Sequence, residues 1–181
     1  MHKTVGDKAT GEAKRLATVC KVQKLLPGDA RMFDGMCRIA TQVMHADASV
    51  VAFMGEYDQV FLGRDGVSVG AVPRSFPISL LQQRLIHIAD LRDFDGSADC
   101  PLVDGRLDSF RGALSVPITF EGQPVGLMSC YFRTVLDGVS PDAVARLADL
   151  AGIVERLIVQ EAALTAIARA AVLAIDGTTG D

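Results

Sequence analysis

The sequence lacks any run long and apolar enough to cross a membrane. Its longest apolar segment, Ala162 to Ile175, falls short of the roughly 18 residues a span needs and contains Arg169. No apolar core of a signal peptide lies near the start, where charges recur through residues 3–24. A cytoplasmic location, away from any membrane, is therefore expected. The four cysteines, Cys20, Cys37, Cys100 and Cys130, are widely spaced, with no C-x-x-C pair and no histidine close by. That spacing suggests neither a zinc site nor a disulfide framework, and no metal is expected. The motifs G-x-S-x-G, the P-loop and G-x-G-x-x-G are missing, so the enzyme chemistries they mark have no foothold here. There is no long basic patch and the net charge is -4, which argues against nucleic acid as a partner. The local exception is Lys3, Lys8, Lys14, Arg15, Lys21 and Lys24 against Asp7 and Glu12, read as the solvated face of a helix.

What is present is a core. The chain has 181 residues, of which 49% are hydrophobic, enough for one domain with a sizeable interior. Residues 10–26 read as a helix whose stripe is Ala13, Leu16, Cys20 and Gln23, flanked by Ala17, Val22 and Leu26. Pro27-Gly28 ends it, and Asp29 is placed to cap a second helix reaching about His45. That helix is expected to turn Met32, Phe33, Met36, Ile39, Ala40 and Val43 to one side. Residues 48–56 and 58–64 read as a strand hairpin, with Asp65-Gly66 a turn signal behind it. A loop over 73–77, a short helix over 78–84 and a strand over 85–89 follow. Residues 90–108, broken by Gly96, Pro101 and Gly105, read as a long functional loop. Two further strands, 109–119 and 124–132, flank the Glu121-Gly122 turn.

Ser140-Pro141-Asp142 starts a last helix that runs to about Ile175. Leu147, Leu150, Val154, Leu157, Glu161, Leu164, Ala168, Ala171 and Ile175 alternate three and four apart, the spacing of a coiled-coil seam. Its second half is apolar nearly all round and must be buried somewhere. The order of elements implies an α+β fold, an antiparallel sheet between helical layers of the PAS/GAF kind.

Three segments carry a resemblance. Residues 85–103 resemble the GAF pattern of a hydrophobic strand, an aspartate, a nearby phenylalanine and a Pro-Leu-Val stretch. Residues 110–118 resemble the family's strand ending in Val-Pro-aliphatic, and residues 121–129 its acidic-Gly turn and Gly-Leu strand. The likeness spans about residues 30–158. It divides the chain into an N-terminal helix (1–28), a GAF-like domain (29–158) and an extension of the last helix with a tail (159–181). The resemblance implies a six-stranded antiparallel sheet, with the N- and C-terminal helices on one face and a ligand pocket on the other. Strand alternation then sends Phe110, Leu114, Val116 and Ile118 to the helices. Arg111, Ala113, Ser115, Pro117, Leu127, Ser129 and Tyr131 go to the pocket, roofed by Phe76, Asp90, Phe94 and Cys100.

The function so implied is a non-catalytic sensor or regulatory module. It binds an unknown small organic ligand and signals through a homodimer joined by residues 10–26 and 141–175, to an effector protein or domain. Arg111 either anchors a ligand anion or pairs with Asp90, Asp93 or Asp108. Asp90 either lines the roof or caps the loop. The alternative function is a thiol-based redox enzyme or sensor using Cys100, like the GAF branch that reduces free methionine sulfoxide. That branch clusters cysteines and places acidic residues on the pocket strands, where this chain has Cys100 alone and Ala113, Ser129 and Tyr131. The cyclic-nucleotide branch uses a set that includes asparagine, and this chain has none. The bilin-binding branch attaches its chromophore through a cysteine followed by histidine, whereas Cys100 precedes Pro101.

Overall fold

The computed structural model describes residues 5–26, 31–97 and 99–176. Helix α1 spans Val5–Leu25 and α2 spans Asp34–Met44. Six strands follow: β1 Ala48–Met54, β2 Asp58–Asp65, β3 Ala71–Pro73, β4 Ile86–Ile88, β5 Gly112–Phe120 and β6 Gln123–Phe132. Helix α3 then runs unbroken from Pro141 to Asp176. The strands form one antiparallel sheet in the order β3-β2-β1-β6-β5-β4. This is the α+β, GAF-like architecture expected from the sequence. Strand β3 is an addition to the reading of individual segments: three residues at a sheet edge are too few to show a period of two.

Central strand β1 is buried along its whole length, because both faces of the sheet are covered. On one face Val51, Phe53, Leu114, Ile118, Met128 and Cys130 meet all three helices. On the other, Ala48, Val50, Ala52, Phe61, Leu127 and Tyr131 meet the connections between β3 and β5. Two glycines make the centre possible. A Cβ on Gly126 would lie 2.0 Å from the Ala52 carbonyl oxygen on β1. Gly122, at φ +71 beside Glu121 at φ 49, closes the β5–β6 hairpin in left-handed geometry.

All three helices are rotated from their expected faces. In α1 the inward residues are Arg15, Thr18, Val19 and Val22, while Ala13, Ala17, Cys20 and Gln23 are exposed and Leu16 is half-buried. The cause is Arg15. The residue is 4% exposed and its guanidinium donates to the Met54 carbonyl at the end of β1 at 2.6 Å, so this member of the basic stretch is not solvated. In α2 the inward residues are Phe33, Cys37, Ala40 and Met44, leaving Ile39 and Val43 exposed. Asp34 sets that rotation: its carboxylate is buried and accepts from Arg64 N at 2.9 Å on β2. The Asp29 cap lies outside the described residues. In α3 the buried stripe is Leu147, Ala151, Val154, Ile158 and Ala162. A straight helix drifts away from a heptad line, so the expected seam leaves the sheet after Leu157, and Leu164 and Ala168 are exposed. Among the described residues no helix is long and apolar enough to cross a membrane.

Candidate functional site

The face of the sheet away from the helices is roofed by loops. Phe76 descends from the connection after β3, and Leu91, Cys100, Leu102 and Val103 from the segment between β4 and β5. The roof segment bonds mainly to itself. Ser97 Oγ donates to the carbonyls of Leu91 and Phe94, Cys100 N donates to Ser97 O at 2.9 Å, and Val103 N to Cys100 O at 2.9 Å. Beneath it lies an interior cavity of about 20 Å³, the space of one water. Phe76, Ile86, Ile88, Ala113 and Leu127 line it with apolar surface, and Gln59, Ser115, Ser129 and Tyr131 with polar groups.

The polar lining carries no formal charge. Ser115 Oγ donates to Ser129 Oγ at 2.8 Å, across the β5–β6 register pair of those two residues. Burial pushes the ionisation of the Tyr131 hydroxyl far up, opposed in part by the neighbouring Ser129 hydroxyl. Tyr131 stacks on Phe110 with ring centroids 5.3 Å apart. Phe110 therefore lies on the roof side, not with the helices as alternation from β5 implied. It precedes the first paired residue of that strand, Gly112, so the two-residue period does not reach it. Gln59, Ile86 and Ile88 are lining residues that reading the sequence missed. For Gln59 a signal existed: it shares parity on β2 with Phe61, a glutamine on a face otherwise apolar.

Arg111 and Asp90 sit apart from this cavity. Arg111 Nε donates to both Asp90 oxygens, at 2.9 and 3.1 Å, and a terminal nitrogen donates to Asp90 Oδ2 as well. Asp90 Oδ1 also accepts from Arg92 N at 3.0 Å and so caps the turn Leu91–Asp93. The Arg111 guanidinium holds the Asp90 carboxyl down at about 2. Asp108 pairs instead with Arg133 at 2.8 Å. Asp90 and Phe94 line an open groove along edge strand β4 rather than the interior cavity. His87 is exposed on that strand with Nε2 2.7 Å from the Leu136 carbonyl oxygen. Among the described residues, no three metal-ligating side chains converge.

Cys100 is buried in the roof, and burial pushes its thiol up, away from the thiolate a nucleophile requires. Cys37 and Cys130 lie on the helical side, where burial pushes both up to about 12. Cys20 is exposed on α1, and no cysteine is in a disulfide.

The roof is tied to α1 by an ion cluster. Glu12 accepts from Arg15 at 2.8 Å and lies 3.7 Å from Arg74, which donates to Gly55 O at 3.1 Å. Arg74 is two residues from Phe76 in the cavity wall. At its other end α1 meets α3, where Thr165 Oγ1 donates to Leu25 O at 2.7 Å and Arg169 to Lys24 O at 2.9 Å. Beyond that contact α3 exposes Leu164 (60%), Ile167 (65%) and Val172 (57%).

No protein-family model matches the sequence, and no curated protein matches it. Solved structures do. The GAF domain of the blue-light absorbing form of PixJ from Thermosynechococcus elongatus is similar over 76% of this chain and 90% of that one, at 16% identity and TM-score 0.57. The GAF domain from an Acinetobacter phosphoenolpyruvate-protein phosphotransferase is similar over 84% of this chain and 95% of that one, at 15% identity and TM-score 0.55. A type II free methionine-R-sulfoxide reductase from Thermoplasma acidophilum is similar over 71% of this chain and 92% of that one, at 14% identity and TM-score 0.56. At these identities the likeness establishes the fold, and that fold is GAF-like.

Proposed function

We propose that this chain is a non-catalytic sensor or regulatory module. It binds a small organic molecule between sheet and roof, and passes its state to helices α1 and α3. Residues 29–158 form the sensing domain, and the flanking helices its output. One observation carries the reading: a cluster of neutral polar side chains enclosed under a roof whose hydrogen bonds are largely its own. Such groups are costly in a core that only has to be stable. The buried, raised thiol of Cys100 weighs against the redox alternative. A thermal-shift screen of the full chain against a metabolite library tests the proposal: at least one compound should raise the melting temperature in a saturable way. If none does, the sensing role is lost.

The output half rests on apolar surface. Leu164, Ile167 and Val172 give α3 an exposed apolar surface suited to a second copy of this chain. The homodimer would join through residues 10–26 and 141–175 and would hand its state to an effector protein or domain. Sedimentation of the full chain at micromolar concentration should show a dimer, and Ile167→Glu a monomer. A monomeric parent ends the dimer proposal. Four free thiols support a cytoplasmic location.

A further inference from the structure

The polar groups of the cavity are unequally satisfied. Ser115 Oγ donates to Ser129 Oγ, and Ser129 lies close enough to the Tyr131 hydroxyl to act on its ionisation. Gln59 takes no part in these contacts. It is 3% exposed as a residue and lines the cavity, and its amide, unpaired among the described residues, faces the cavity space; the polar side-chain atom that is fully enclosed without a partner among the described residues is Ser49 Oγ, on the helical side. A primary amide offers two donors and one acceptor with fixed directions, and leaving them unmatched in an apolar surround is unfavourable. No charged side chain faces the same space. Arg111 has its donors directed to Asp90, outside the cavity wall. An ionised ligand here would lose its hydration with no counter-charge to replace it.

The geometry points to a ligand that is uncharged, about one ring in size, and edged by an amide or lactam that pairs with Gln59; Gln59, not Arg111, is the polar anchor. This rests on the reading of the roofed face as a ligand site. Size follows from Phe76. The cavity holds only about 20 Å³, and Phe76 is the wall residue carried by the roof connection, packed on Phe94 with centroids 5.7 Å apart. Swinging that ring outward vacates the volume of a single six-membered ring beside Gln59. The ligand's lactam carbonyl then accepts from the Gln59 nitrogen, and its N–H donates to the Gln59 oxygen. The Tyr131 hydroxyl proton supplies a further donor at the cavity wall.

The test uses pairs of the same shape in which a neutral carboxamide with N–H donors is set against an anionic, acceptor-only carboxylate: nicotinamide against nicotinate, and benzamide against benzoate, titrated into the full chain by ligand-observed NMR. In at least one pair the amide should bind about tenfold tighter than the carboxylate. Gln59→Leu should weaken amide binding by about tenfold, while Arg111→Ala leaves it within about twofold. Gln59→Met serves the same purpose if Gln59→Leu does not fold. Equal or tighter binding of the carboxylates, or loss of binding in Arg111→Ala with none in Gln59→Leu, overturns the inference while leaving a ligand site in place. If no member of either pair binds the parent or Phe76→Ala, the inference falls, while the ligand-site reading stands or falls with the thermal-shift screen.

Discussion

The two faces of the sheet are filled by different means. Toward the helices, Val51, Phe53, Leu114, Ile118 and Met128 pack against Val22, Cys37, Leu147, Val154 and Ile158, and every one of these side chains is buried and apolar. Toward the roof, an apolar shell of similar extent surrounds Gln59, Ser115, Ser129 and Tyr131. The helical face is covered by three elements with their own internal backbone bonds. The roof is covered by short turns. The helical face holds its buried polar residues singly, Arg15, Thr18, Asp34 and Ser49, whereas the roof face gathers neutral polar side chains around one cavity.

Substitutions measure the contrast, and the largest effect belongs to the helical face. Phe53 is fully buried there, so Phe53→Ala should cost about 3–5 kcal/mol in urea unfolding. Next comes the buried guanidinium that fastens α1 to β1. Arg15→Ala removes a charged donor from Met54 O and should cost about 1.5–3 kcal/mol by the same measurement. On the roof face Gln59→Leu should change stability by less than about 1 kcal/mol, because its amide faces the cavity and is paired with no described side chain. A loss there as large as that of Phe53→Ala would erase the distinction between the faces.

Much of the sheet was legible in the sequence, and less of the site. The hairpins showed because Glu121-Gly122 and Asp65-Gly66 are turn signals and the strands between them are apolar. The strand parity of Ala113, Ser115, Leu127, Ser129 and Tyr131 carried over to the cavity wall. Parity failed at Phe110 and Arg111, which precede the paired strand. Helix rotation was illegible for a common reason: in α1 and α2 one buried charged residue, Arg15 or Asp34, outweighs the apolar stripe. Its partners, Met54 O and Arg64 N, are far off in sequence and known only once the chain has folded. Pairing of Arg111 with Asp90, among three candidate aspartates, was likewise settled only by tertiary geometry.

The smallest expected effect is the one at the outer edge of the roof. Asp90 has its carboxyl lowered by Arg111 from the ordinary 3.8 to about 2. A depressed carboxyl stabilises the fold in its ionised form, so this contribution is complete above about pH 4 and fades as pH falls toward 2. The melting temperature of Asp90→Asn should therefore lie below that of the parent at pH 7 and converge on it between pH 4 and 2. A constant gap across that range would show that the pair contributes nothing through its charge.

Native-state hydrogen exchange reaches the central claim most directly, since it needs no knowledge of the ligand. With only about 20 Å³ of open space, the roof must open locally before anything enters. Amides of the roof segment, including Cys100, Val103 and Phe110, should exchange through an opening that costs far less than global unfolding. Those of β1, β5 and β6 should exchange only when the whole chain unfolds. Roof amides as slow as those of Val51 and Met128 would contradict the account, because a lid fixed to the core admits nothing.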